Sequence, residues 1–270
     1  MGRLRQRLSR PVDIAGVAAF RVLLGLVMLV AVIRFAAYGW IDALYVEPAY
    51  LFSYWGFEWL PRLPAAGMTA VFVALGGLAL MIAAGLYYRA AAVLFFLLFG
   101  YVELLAKSAY LNHYYFVSIV GLLMIFMPLH GALSLDAWRR PAVRRTTVPA
   151  WVPWTLRLQL GVVYTFAGIA KLNADWLLHA QPLRIWLEAR GDLWLVGPWL
   201  SHDAVAYAMA WGGALFDLTI FGWLCWRRTR RYAYAAVVGF HLVTGALFPI
   251  GMFPWIMIAA ALIFFPEDWP

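Results

Sequence analysis

The chain has 270 residues, of which 65% are hydrophobic and only 13% charged, more apolar surface than a soluble domain of this length can bury. That balance excludes an ordinary water-soluble globule and points to a bilayer as solvent. The formal charge of +8 comes almost wholly from arginine, and a single cysteine, Cys225, excludes an internal disulfide and any Cys-rich metal site.

A helix needs roughly 20 largely apolar residues to cross a bilayer. Taken in chain order, eight runs separated by charges, Gly and Pro fit or approach that length: Ile14 to Tyr38, Ala66 to Leu86, Ala90 to Leu105, Tyr114 to Leu129, Trp151 to Ala170, Val205 to Trp226, Tyr232 to Phe248, and Phe253 to Phe265. The third, fourth and eighth are short. The first is too long for a cleavable signal peptide, contains Arg21 and Arg34, and lacks a small-residue cleavage site, so it is expected to remain as a helix. Many of the 15 Trp lie near the ends of these runs, where amphipathic rings favour the headgroup region. The expected fold is therefore an all-α integral membrane protein, a bundle of about eight transmembrane helices forming one domain over residues 1–270, with no soluble domain.

Short cytoplasmic loops are enriched in Lys and Arg. An inside N-terminus and eight crossings put Arg3, Arg5, Arg7 and Arg10, then Arg89, then Arg139, Arg140, Arg144 and Arg145, then Arg227, Arg228, Arg230 and Arg231 on one side, thirteen of the 21 basic residues. Both termini are then cytoplasmic. The opposite side receives the Asp42 to Pro64 and Asn173 to Asp203 loops, mixed in charge and rich in Trp and Pro, with room for short interfacial helices at Tyr45 to Leu63 and Ala180 to Trp199. Arginines divided among loops do not form the contiguous patch of a nucleic-acid-binding domain, so no nucleic-acid partner is expected.

Polar residues inside the runs are where chemistry is sought. In the fifth, Arg157, Gly161, Tyr164, Gly168, Lys171 and Asp175 recur at three-and-four spacing and share one helical face. Gly161 and Gly168 read as close helix packing, and Arg157 as a side chain reaching the inner surface. Lys171, at the outer end beside Leu172 and near Trp176, has two readings: an interfacial anchor, or a partly desolvated amine able to act as a general base. The segment from Lys107 to Tyr115 concentrates hydrogen-bonding groups on the same side. There Asn112 and His113 either orient a phenolic or carbonyl ligand or form a solvated turn with Asn112 capping the next helix. His241 in the seventh run reads as an interhelical hydrogen bond, and Asp217 in the sixth as half of a structural pair with Arg21, Arg34 or a tyrosine. No His-Glu-x-x-His, Cys-x-x-Cys or phosphate-binding Gly-rich loop occurs, so no metal is expected.

The segment from Val162 to Trp176, containing Gly168-Ile169-Ala170-Lys171-Leu172-Asn173-Ala174-Asp175-Trp176, resembles the Gly-x-x-Lys-Leu-x-Ala-Asp-Trp segment of vitamin K-dependent gamma-glutamyl carboxylases and their bacterial homologues, whose transmembrane domain is regarded as horizontally transferred. Further segments agree in order: Ala19-Phe20-Arg21 with Gly25, Gly56 to Pro61, Asn112-His113-x-Tyr115, and Phe240-His241 followed by Leu247 to Phe253. The resemblance covers nearly the whole chain, with Ala170 in place of the first lysine of the carboxylases' Lys-Lys-Leu and without their large propeptide-binding domain. It implies a reaction in which a lysine deprotonates a reduced vitamin K or menaquinone-type hydroquinone. The anion reacts with oxygen, and the resulting alkoxide removes a glutamate gamma proton before carbon dioxide adds.

By that resemblance Lys171 matches the base, and His113 and Asn112 match the pair that binds the quinone oxygen. His241 matches a second histidine near the site, while Tyr164 and Trp176 would line the quinol site. Arg21, Arg157, Asp175 and Asp217 are expected in structural or electrostatic roles. The implied partners are the bilayer, a quinol and a Glu-containing acceptor, and the implied location is a bacterial inner membrane with the site facing the periplasm. Two other functions fit the same residues: an enzyme that oxidises a quinol or modifies another acceptor, and a non-catalytic quinone- or lipid-binding protein.

Overall fold

A computed structural model describes residues 2–269. All eight apolar runs are helical in it, which makes the chain an all-helical membrane protein with one small β pairing among the described residues. Four helices are long and apolar enough to cross a membrane: α2 (Ala15–Ala37), α3 (Ala65–Ala84), α4 (Tyr88–Leu105) and α11 (Asp203–Cys225). Helix α5 (Asn112–Phe126) and the segment from Phe253 to Phe264, which holds α13 (Phe253–Ala261), are shorter and apolar. Helices α7 (Trp151–Ala170) and α12 (Arg230–Leu247) have 20 and 18 residues. They are less apolar because they carry Arg157 and Gln159, and Arg230, Arg231 and His241.

The chain divides into two compact units, Met1–Leu156 with Phe265–Pro270, and Arg157–Phe264. In the first, α1 (Gly2–Ser9) leads into β1 (Pro11–Asp13), which pairs antiparallel with β2 (Thr147–Pro149), Val12 opposite Val148. Three-residue strands are too short to show an alternating pattern, so this pairing was not expected. Helix α2 packs along α3, α3 against α4 and α4 against α5. At Gly25 the α2 and α3 backbones come so close that a Cβ would lie 2.7 Å from the Ala79 carbonyl oxygen and the Ala83 nitrogen.

Arg21, fully buried in α2, ties this unit together. Its guanidinium donates to the carbonyls of Ile82 and Ala83 at the end of α3 and to those of Leu129 and Leu133 in the loop after α5. The final carbonyls of a helix have no partner within it, and here a cation supplies one. Helix α3 ends at Gly85 in the left-handed conformation (φ +64°), where a Cβ would also strike Ser134. Ser134 caps α6 (Leu135–Arg139), and Asp136 in α6 accepts from the backbone N–H groups of Tyr87 and Tyr88 at the start of α4.

In the second unit the loop between α7 and α11 folds into three short helices, α8 (Ala174–His179), α9 (Leu183–Glu188) and α10 (Gly197–Leu200). Leu183, Leu187 and Leu200 are buried with Ala206 and Ala210 of α11 and Leu247 of α12. The expected short helices between Ala180 and Trp199 are therefore present. The Tyr45 to Leu63 stretch holds only the end of a π-helical turn at Asp42–Val46.

Candidate functional site

Small residues on α7 bring α11 close, as their spacing indicated. A Cβ on Gly161 would lie 2.7 Å from the Phe221 ring, and one on Gly168 2.7 Å from Leu218. Helix α7 stops at Ala170, so Lys171 projects from the last turn just where the two helices meet. Its Nζ donates to Asp217 Oδ2 of α11 at 2.6 Å and to the Ala167 carbonyl at 3.2 Å. It also lies 5.1 Å from the centre of the Trp176 ring, a cation–π contact. Asp217 is nearly enclosed, with 6% of its side chain exposed, against 19% for Lys171. The expected partners Arg21, Arg34 and a tyrosine are thus replaced by lysine: Arg21 is committed to backbone carbonyls, and Arg34 stacks on Tyr38 and Trp40.

The aromatic wall beside Lys171 is held by its own sequence. Asn173 caps α8, its side-chain oxygen accepting from the Trp176 backbone N–H at 2.9 Å. The Trp176 indole donates to the Ala210 carbonyl at 2.7 Å. Asp175 does not continue the α7 face. The chain turns at Lys171, and Asp175 lies exposed in the first turn of α8, where a carboxylate suits the helix dipole.

A second polar pair lies deeper. The Tyr164 hydroxyl of α7 and Nε2 of His241 in α12 are 3.0 Å apart, both residues almost wholly buried. Tyr164 meets Phe216 edge-on, Phe216 stacks on Phe240 at 4.1 Å, and His241 meets Phe253 edge-on. Nδ1 of His241 is enclosed and has no hydrogen-bond partner among the described residues. When Tyr164 donates to Nε2, that Nδ1 carries the proton and is a donor available to a ligand or water. Arg157 is buried rather than reaching a surface, and its Nε donates to the Ile263 carbonyl at 2.8 Å.

Asn112 and His113 belong to the first unit, at the start of α5. His113 is buried with its ring 4.4 Å from that of Tyr114, which meets Phe99 edge-on. Asn112 is exposed and is the first residue of α5 rather than its cap, which is Leu111. In the same unit Glu103, toward the end of α4, was missed. Burial first, and Glu103 among nearby groups, raises the phenols of Tyr45, Tyr54 and Tyr110 in the flanking segments above their ordinary range. The signal available was its position: a lone carboxylate within an otherwise apolar run marks an intramembrane site.

The arrangement can take a proton at the Lys171–Asp217 pair, present an aromatic face at Trp176 and offer a hydrogen-bond donor at His241. Compared with known proteins, the chain matches the family model described as the HTTM domain over residues 9–269. No solved structure matches it.

Proposed function

The chain belongs to the HTTM domain family, the transmembrane-domain family of vitamin K-dependent gamma-glutamyl carboxylase, and from that we propose that it is a quinol-dependent membrane enzyme in which Lys171 removes a hydroquinone proton. The observation that carries this reading is the Lys171 amine at the boundary of exposure, paired at 2.6 Å with a nearly buried Asp217 and lying over Trp176. A buried Lys–Asp pair exchanges between an ion pair and a neutral amine–acid pair, and low polarity favours the neutral one. A bound apolar quinol excludes water, so the proton passes from Lys171 to Asp217 and Nζ is free to accept one from the phenol. Trp176 packs against the quinol ring.

In this reading oxygen and carbon dioxide are co-substrates, a Glu-containing peptide is the acceptor, and the site opens to the periplasmic side of a bacterial inner membrane. One observation favours a second reading, a quinone-binding protein without turnover: Lys171 already has a carboxylate partner. Reconstituted protein given reduced menaquinone or vitamin K and oxygen separates the two. Epoxide formation that is lost in Lys171→Ala supports the enzyme. Quinol binding without product in either protein supports the binder, and labelled carbon dioxide entering a Glu peptide identifies the acceptor.

A further inference from the structure

The first unit has a cavity of about 220 Å³ on its arginine-rich side, lined by Tyr87, Arg89, His130, Asp136, Arg140 and Val143. Four observations define its chemistry. Arg140 makes no side-chain hydrogen bond among the described residues, and Arg89 uses one N–H group on the Ile125 carbonyl, leaving the rest of its fork available. Asp136, the one carboxylate in the wall, is occupied by the backbone N–H groups of Tyr87 and Tyr88 at 2.9 Å each. His130 stacks on Tyr88 with its Nδ1 enclosed and without a partner among the described residues. Arg139 lies over the ring of Tyr87 and donates to its hydroxyl.

We propose that this cavity binds the phosphate of an anionic lipid headgroup. Two guanidinium groups lining one concave site match the oxygens of a phosphate, and His130 adds an imidazole to the same wall. The surroundings identify the source as lipid. Exposed Phe126, Leu133, Leu135 and Trp138 flank the same loop, Trp138 with 79% of its surface free, and such a collar belongs among acyl chains and headgroups. Basic pockets between helices on the arginine-rich side of a membrane protein take anionic headgroups for this reason. The inference is independent of the quinol reading, since it uses none of the residues placed there.

The test is titration of the full chain in uncharged detergent with dioctanoyl phosphatidylglycerol, dioctanoyl phosphatidylcholine or inorganic phosphate, followed by the thermal unfolding midpoint. The expected result is a saturable rise with phosphatidylglycerol only. Half-saturation is expected at tenfold or higher concentration in Arg140→Gln, and in Arg89→Gln where it folds, and unchanged in Arg227→Gln on another loop. Equal stabilisation by phosphatidylcholine overturns the proposal, as does an Arg140→Gln titration matching wild type or an Arg227→Gln loss equal to that of Arg140→Gln. Saturation by inorganic phosphate over the same range overturns the lipid as its source.

Discussion

Lys171 and Asp217 meet at 2.6 Å across the α7–α11 contact, so the amine expected to act as a base is joined to a carboxylate that can hold or take its proton. In the proposed reaction Lys171→Ala lowers quinol epoxidation by about 10²- to 10⁴-fold, the usual contribution of a positioned general base. Asp217→Asn takes away the carboxylate that receives the Lys171 proton, so a loss of epoxidation approaching that of Lys171→Ala is expected. A wild-type rate in Asp217→Asn would reduce Asp217 to a packing role.

Tyr164 and His241 form the other buried polar pair. Tyr164→Phe leaves Nε2 enclosed without its partner, at a cost of about 1–3 kcal/mol in stability. Replacing both residues by Phe removes both polar groups and is expected to recover much of that loss. Unfolding of the two single variants and the double variant in detergent measures the coupling.

Glycines in α2 and α3 make opposite forecasts. Gly25→Ala places a Cβ 2.7 Å from the α3 backbone and is expected to destabilise by about 1–3 kcal/mol through overpacking. A Cβ at Gly77 has nothing within 4 Å, so Gly77→Ala is expected to be neutral or slightly stabilising. Parallel thermal melts decide, and equal effects would show that the α2–α3 approach is not tight.

Arg21→Lys keeps the charge and loses the fork. One ammonium cannot reach carbonyls at Ile82, Ala83, Leu129 and Leu133 together, so buried acceptors lose their donors. A loss of roughly 2–4 kcal/mol is expected, at about 1–3 kcal/mol for each acceptor left unsatisfied. Retention of the wild-type melting temperature would contradict the carbonyl clamp.

Membrane character and the eight helical runs were legible in the amino-acid sequence because they depend on local composition: a long apolar run must satisfy its backbone within itself. The closeness at Gly161 and Gly168 was legible for a similar reason, since helical spacing fixes which residues share a face. The same spacing failed at Asp175, because α7 ends at Ala170 and the following turn breaks the periodicity. It also left the partner of Asp217 open among several cations and phenols.

Only the tertiary structure chose Lys171 for Asp217, His241 for Tyr164 and backbone carbonyls for Arg21, and only it gathered Arg89, His130 and Arg140 around one cavity. Pairing between helices depends on their rotation and offset, which side-chain packing sets at distances of tens to a hundred residues along the chain. Composition records that polar groups must be satisfied in a membrane, and packing determines by which partner.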